Sequence, residues 1–333
     1  MINYRASFYS VFQKDHVYKS DNALTEVWER VQRLSSESIL KNKYTFNIHP
    51  DDKEKLIKYV TVRISQALEF RDASKYQTLL SKPLSLYYSM LNLMRATIAI
   101  KYEVESISRH GLCFKSDNNI LETSALINNG TFNQYLEAKG YHDYINKIVT
   151  LKEAISNIIE LGKEVETIEG VSIGFTPYYI NAYQDGDIIA RALDYKKDFE
   201  MYWKDDFPNI ALDFEILEKT TLHYKNDIFK IENNIENYIN SKFLTDLNHL
   251  TLNDACIWYQ YNESEKKCLP RICYYHIAFF ILSNIVRYEP DNIQSIITQK
   301  NELYWVLNRL LYLGERYYPQ LVLSEIYDTP VYF

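Results

Sequence analysis

One segment of this chain is apolar on all sides but too short to cross a membrane, and it constrains the fold more than any other feature. It begins after Pro270, contains an unbroken apolar run from Ile277 to Leu282, and ends near Tyr288. A membrane-spanning helix needs about 20 consecutive apolar residues, which this run does not approach. A helix that is apolar all round must be buried by other elements of the protein. The segment also carries Arg271, His276 and Arg287. It therefore predicts either a core helix whose polar residues have partners or a helix that presents a site.

Several further segments place apolar residues at intervals of three and four, which predicts amphipathic helices around that core. These segments run from Asn22 to Ser38, from Lys53 to Glu69, from Pro83 to about Tyr102, from Thr131 to Leu161 and from Ile293 to Leu313. Pro50 and Pro83 mark predicted helix starts, because proline is favoured in the first helical turn. The pattern is that of a mainly α-helical bundle.

The character of the chain changes between Gly170 and about Lys225, where residues that favour strands alternate with Gly, Pro, Asp and Asn. Strands are predicted over Phe175 to Ile180, Ile188 to Leu193, Phe214 to Leu217, Leu222 to Tyr224 and Ala255 to Tyr261. We therefore predict one domain over residues 1–333. Its parts are an N-terminal helical part (1–165), an inset β-containing region (170–262) and C-terminal helices (270–333) that complete the core.

Composition excludes several classes of protein. With 333 residues, 47% of them hydrophobic, the chain is long enough to bury a large core without disulfide staples. A net charge of −7 argues against nucleic-acid binding through a diffuse basic surface, although a local basic pocket is compatible with it. The four cysteines form no CxxC pair, which predicts free thiols and no metal site. No cofactor motif or secretory signal is visible, so we expect no cofactor, no membrane association and a cytoplasmic protein.

Two of the apolar helices carry a stripe of polar residues. One stripe consists of Ser85, Ser89, Asn92 and Arg95, and the other of His276, Phe280, Ser283 and Arg287. Facing each other, these stripes would form a buried polar seam. Buried charge is costly unless it is paired, so Arg95 and Arg287 are expected to meet a carboxylate, a backbone carbonyl or a bound anion. The alternative is purely structural, with both arginines binding the ends of helices.

A short polar segment, Ser108 to Leu112, follows the end of the Pro83 helix. It contains Arg109 and His110, and Gly111 allows a backbone turn that other residues resist. An Arg-His pair in a loop is suited to phosphate binding or to acid-base chemistry, since histidine titrates near neutral pH. The alternative is a helix terminus in which both side chains bond to the backbone.

Three blocks of the chain resemble the YaaC-like proteins of bacteria. They are the segment from Pro83 to Ala96, the segment from His110 to Leu112, and Leu269-Pro270 with the helix that ends at Pro290. The matching residues are Asn92, Arg95, His110, Gly111, Arg287 and Tyr288. The resemblance implies relatives but no particular reaction.

A second resemblance rests on Arg271-x4-His276, which is similar to the Arg-x4-6-His motif of HEPN-type ribonucleases. It implies a HEPN-like helical homodimer that cleaves RNA without a metal, with His276 moving the proton and Arg271 stabilising the phosphate. Asn92, Arg95, Arg109, His110, Ser283 and Arg287 would then bind the substrate in the same pocket. A toxin or phage-defence role, controlled by a protein partner, would follow. The alternative function is a non-catalytic YaaC-like interaction or small-anion-sensing protein.

Overall fold

The computed structural model describes residues 20–173, 269–328 and 331, and between them the backbone of five strands. This part of the chain is mainly helical. The helices are α1 (Ala23–Arg33), α2 (Glu37–Lys43), α3 (Pro50–Ser74), α4 (Lys82–Tyr102), α5 (Thr131–Ala138), α6 (Leu151–Ser156), α7 (Arg271–Tyr288), α8 (Pro290–Gln299) and α9 (Glu302–Tyr327). The first 19 residues of the predicted N-terminal helical part (1–165) lie outside the described residues.

Helices α4 and α7 form the centre of the core. Nearly every residue of α7 from Arg271 to Ile285 is buried, and α4 is buried on most of its circumference. Helix α4 packs against α3, α7 and α9, while α7 also contacts α6 and α8. The segment after Pro270 is therefore a buried helix of the core up to Ile285, which is the first of the two alternatives that the sequence leaves open.

The strands form two antiparallel sheets. The smaller one joins β1 (His110–Lys115), β2 (Ser124–Gly130) and β3 (Ile148–Thr150) in that order. The larger one contains β4 (Phe175–Ala182), β5 (Ile188–Ala192), β6 (Phe214–Glu218), β7 (Thr221–Tyr224) and β8 (Ile257–Gln260), in the order β6-β7-β5-β4-β8. These five strands lie in the segments where the sequence predicts them.

The smaller sheet was not predicted, and the continuous helix predicted over Thr131 to Leu161 was wrong. Helix α5 ends at Ala138, and the chain then forms a 3₁₀ turn and strand β3 before α6 begins. Strand β3 pairs with β2, so backbone hydrogen bonds to the sheet replace those that a continuous helix would have made.

Two glycines allow the start of β1 to cross the end of β2 at very short range. Gly111 has a φ of 85° and Gly130 a φ of 152°, both in regions that favour glycine. A Cβ atom on Gly111 would lie 2.7 Å from the backbone nitrogen of Phe132. A Cβ atom on Gly130 would lie 2.6 Å from the backbone oxygen of Arg109. The crossing places Arg109 and His110 at the edge of the helical core.

A proline inside α9 connects the two ends of the described chain. Pro319 has no backbone N–H, so the carbonyl of Glu315, one turn earlier, lacks its usual helical partner. The indole Nε1 of Trp28 in α1 donates a hydrogen bond to that carbonyl at 2.9 Å. The Glu315 carboxylate accepts from Arg71 Nε at 3.1 Å and from Lys82 Nζ at 2.9 Å. Helices α1, α3, α4 and α9 are therefore joined at one residue.

Within the described ranges, every helix is too short or too polar to cross a lipid bilayer.

Candidate functional site

A cavity of about 450 Å³ opens where β1 and β2 meet α4 and α7. Its volume falls in the range of about 300–1,000 Å³ that is usual for small-molecule sites. The lining residues that matter most for its chemistry are Arg109, His110, Asn128, Phe280, Asn284 and Arg287. The fold thus brings together three of the six residues that the sequence predicts to bind a substrate: Arg109, His110 and Arg287.

The mouth of this cavity is positively charged. Arg109 and Arg287 are both exposed, and neither forms an ion pair with any residue in the described part of the chain. The Arg287 guanidinium donates to the hydroxyl of Tyr288 at 2.8 Å and lies over its ring. No carboxylate is among the described residues that line the cavity. Two cations without a neutralising acid make the mouth suited to an anion.

His110 lies deeper in the cavity and is held by Tyr87 of α4. The Tyr87 hydroxyl is 2.7 Å from His110 Nδ1. Partial burial, with Arg95 and Arg287 nearby, lowers the pKa of His110, so its ring is neutral at physiological pH. Either atom can be the donor of this bond, depending on the tautomer of the ring. His110 Nε2 has no hydrogen-bond partner among the described residues, so it is the ring nitrogen left for a bound molecule.

Asn284 supplies an acceptor to the same cavity. The side chain is only 8% exposed, and its Nδ2 donates to the backbone oxygen of Phe280, one turn earlier, at 2.8 Å. That bond determines which end of the amide is oxygen. No described residue donates to Asn284 Oδ1, so the oxygen is available to a bound molecule.

Three other predicted substrate-binding residues lie elsewhere. Arg95 donates to the backbone oxygen of Ser108 at 2.7 Å, which satisfies the predicted need for a carbonyl partner. Asn92 donates to the backbone oxygen of Tyr88 and accepts from Arg63 of α3. Ser283 donates to the backbone of its own helix. These side chains do not line the cavity.

The two polar stripes of α4 and α7 do not face each other, so the condition for a buried polar seam is not met. Ser89 donates to the backbone oxygen of Ala67 in α3, and Asn92 also meets α3. At Ser89 and Asn92 the α4 stripe therefore faces α3, while α4 contacts α7 through aromatic rings: Tyr87 packs edge-on against His276 and Phe280. Seven residues from Ser85 to Asn92 turn the helix by about 700°, so the stripe drifts only slightly and keeps one partner.

Arg271, predicted to stabilise the phosphate in RNA cleavage, lies in the core. It is 1% exposed, and its Nη1 is 2.7 Å from Glu160 Oε1. The Tyr275 hydroxyl donates to Oε2 of the same carboxylate at 3.0 Å. This buried ion pair joins the start of α7 to the 3₁₀ segment Ile159–Thr167. The arginine is therefore committed to an acid of its own chain.

His276, predicted to move the proton, is fully buried. Its Nδ1 is 3.0 Å from the Tyr318 hydroxyl, which donates to the backbone oxygen of Met90. Nδ1 must therefore carry the proton, and its ring stacks on Phe132. Burial, with smaller contributions from His110 and Arg95, lowers the pKa of His276 to about 3. A neutral, sealed imidazole suits packing rather than proton transfer to a substrate.

We expect His276 to make the protein lose stability as the pH falls. Its folded pKa, about 3, lies below the ordinary value of 6.5, so the unfolded chain binds a proton more readily. Its contribution is present above pH 6.5 and is lost progressively as the pH falls towards 3. Between pH 7 and 5 this one residue should cost about 2 kcal/mol of unfolding free energy. Urea denaturation at the two pH values measures the loss.

The variant His276→Asn removes the titration while keeping an N–H donor near the Tyr318 hydroxyl. Its unfolding free energy should change less between pH 7 and 5 than that of the unsubstituted protein. An equal change in both proteins would show that His276 is protonated as easily in the folded state as in the unfolded one.

Sequence reasoning missed several cavity residues. Tyr87 resembled an ordinary core residue, and nothing in the pattern distinguished it from its neighbours. Phe280 was part of the stripe on its helix, but it was not predicted to bind a substrate. Asn128 and Asn129, which no predicted helix or strand included, lie near the end of β2, opposite the start of β1. An Asn-Asn-Gly sequence before a helix was the one available signal.

The described architecture is that of a helical protein with a cationic cavity at the junction of a small antiparallel sheet and two buried helices. The family model described as YaaC-like Protein matches residues 27–326, and the chain belongs to this family. No curated protein and no solved structure matches the chain. The match to the family confirms the first of the two resemblances, and the HEPN resemblance receives no support.

Proposed function

We propose that this protein binds a small anionic ligand in the cavity between β1, β2, α4 and α7. The observation that carries the proposal is the pair Arg109 and Arg287, which share one cavity mouth with no lining carboxylate among the described residues. Arginine offers several N–H donors in a planar arrangement that matches phosphate and carboxylate groups. A bound anion would supply the counter-charge that the described part of the chain does not provide.

The deeper part of the cavity supports binding rather than catalysis. The Tyr87 hydroxyl holds the His110 ring through Nδ1, and Asn284 is held by the backbone of α7. Groups fixed in this way lose little conformational entropy when a ligand binds, which favours affinity. We therefore favour the sensing or binding alternative of the two functions that the sequence predicts.

Metal-independent RNA cleavage by Arg271 and His276 stays a prediction. Its two residues are buried, the arginine pairs with Glu160, and the two side chains have separate partners. Incubating the purified protein with total RNA in EDTA separates the two functions. Ligand binding predicts intact RNA, whereas cleavage that is lost in His276→Ala would support the ribonuclease function.

The direct test of the binding proposal is isothermal titration with inorganic phosphate, pyrophosphate and ribose 5-phosphate. At least one of these probes should bind, and Arg109→Gln and Arg287→Gln should each weaken that binding about tenfold or more. Both substitutions together should abolish measurable binding. Because the two residues are exposed, the thermal stability of the variants should change little.

Arg309→Gln is the matched control. Arg309 is an exposed arginine of α9 whose nearest acid, Glu164, is 3.7 Å away, and it does not line the cavity. This variant changes the net charge by the same amount and should bind the probes as the unsubstituted protein does. Equal weakening by all three substitutions would mean that binding follows net charge and not the cavity.

A further inference from the structure

We propose that the anion is the phosphate of a nucleoside phosphate, whose base occupies the inner part of the same cavity. This inference rests on the proposed anion-binding function and adds the class of ligand. It follows from the separation of the lining residues into a charged mouth and an interior that contains aromatic rings and a few polar atoms.

The inner part of the cavity is aromatic. Tyr87 is 1% exposed and Phe280 is 5% exposed, whereas Arg109 and Arg287 are exposed. The rings of Tyr87 and Phe280 meet edge to face at 5.5 Å, and the His110 ring stacks on Tyr87 at 5.6 Å. We call Tyr87, His110 and Phe280 the aromatic floor. Planar aromatic groups pack well against such rings, while a plain sugar phosphate gains little from them.

The polar atoms beside the aromatic floor match the edge of a nucleobase. Asn284 Oδ1 is an acceptor that no described residue uses, and the side chain is nine-tenths buried. His110 Nε2 has no hydrogen-bond partner among the described residues. A molecule that satisfies both needs an N–H donor for Asn284 Oδ1 and a second polar atom for Nε2 on one rigid group. Nucleobases have this combination, since each carries N–H groups beside ring nitrogens or carbonyl oxygens.

Asn284 also gives the site a means of selection. A buried acceptor that is satisfied only by the correct ligand discriminates strongly against analogues without the donor. Inorganic phosphate and ribose 5-phosphate satisfy the arginines but leave Asn284 Oδ1 without a partner. A nucleoside without phosphate satisfies Asn284 but leaves the cations without an anion. Both parts of the ligand are therefore needed for full affinity.

The test is isothermal titration of the full chain with the common ribonucleoside 5′-monophosphates, ribose 5-phosphate and the unphosphorylated nucleosides. At least one nucleotide should bind about tenfold or more tightly than ribose 5-phosphate and than its own nucleoside. Asn284→Leu keeps the size of the side chain and removes the acceptor. It should abolish the preference for the nucleotide while leaving ribose 5-phosphate binding within about twofold, and Asn284→Ala serves if the leucine variant does not fold.

Asn308→Leu is the control for the loss of the amide. Asn308 donates to the backbone oxygen of Tyr304, one turn earlier in α9, as Asn284 does to Phe280, and it does not line the cavity. This variant should keep the nucleotide preference. The inference is overturned if no nucleotide binds more tightly than ribose 5-phosphate, or if Asn284→Leu keeps the preference. In both cases ribose 5-phosphate binding that depends on Arg109 and Arg287 leaves the anion proposal intact, whereas no binding of any phosphate probe refutes both.

Discussion

Replacing Arg271 by methionine is expected to destabilise the protein by about 3–5 kcal/mol, because it leaves a buried carboxylate without its cation. Arg271 and Glu160 have side-chain exposures of 2% and 4%. Once Arg271 is removed, the Glu160 carboxylate keeps the hydrogen bond from the Tyr275 hydroxyl but loses its cation. Methionine fills most of the space of the arginine stem, so the loss reports the charge and not a cavity. Urea denaturation at pH 7 measures it.

The double variant Arg271→Met/Glu160→Gln should recover much of this loss, since it removes both charges together. The exposed pair Lys41 and Glu37, at 3.5 Å, provides the comparison, and Lys41→Met should cost less than about 1 kcal/mol. A fully stable Arg271→Met variant would contradict the structural role. Such a result would instead support the ribonuclease hypothesis, in which Arg271 stabilises the substrate phosphate and is not needed for the fold.

Gly130→Ala is the second substitution with a large expected effect, about 3 kcal/mol or more. Its φ of 152° is accessible to glycine but strained for alanine, and the added Cβ would overlap the backbone of Gly111 and Arg109. Backbone atoms cannot move aside as a flexible side chain can. The thermal midpoint should fall, and anion binding should weaken because Arg109 and His110 would be displaced.

Gly140→Ala separates the two causes of this loss. Gly140 also has a positive φ, 76°, but a Cβ there would meet nothing within 4 Å. Its substitution should cost only the left-handed strain, about 1–2 kcal/mol, and leave binding unchanged. Equal effects at both glycines would show that the close crossing of β1 and β2 contributes nothing.

Helical periodicity predicted much of the described fold, because burial of one face leaves a pattern in the chain itself. The bounds of helix α7 were predicted within a residue or two. Pro270 has no backbone N–H to donate to a preceding helical turn and so marks the start of the helix, and apolar residues fill every face after it. The three-stranded sheet left no comparable pattern. Strand β3 has three residues, and β2 reads Ser-Ala-Leu-Ile-Asn-Asn-Gly, with polar residues at its end. Strands this short are stabilised by pairing with neighbouring strands, and a local sequence pattern does not show which segments will pair.

In the candidate site, too, features of a single segment were predictable from the sequence, whereas contacts between segments were not. Arg109, His110 and Arg287 were predicted from the character of their own segments, and the fold places them on one cavity. The pairing of Arg271 with His276 was inferred from spacing, but five residues turn an α-helix by about 140°, so their side chains leave it in different directions. The role of Tyr87 depends on the rotation of α4 against α7, which no spacing within one helix determines.

The bond between Trp28 and Glu315 has a consequence for the order of events on the ribosome. The two residues are 287 positions apart, and the backbone carbonyl of Glu315 is held in place for the Trp28 indole only once α9 has formed around Pro319. Helix α1 is synthesised early and can pack against α3, but the part of its apolar face that contacts α9 stays uncovered until α9 emerges. Long-range closure of this kind is slow, and an unpaired apolar helix invites association with other chains. Nascent chains that end before α9 should therefore be clients of chaperones that shield apolar surfaces.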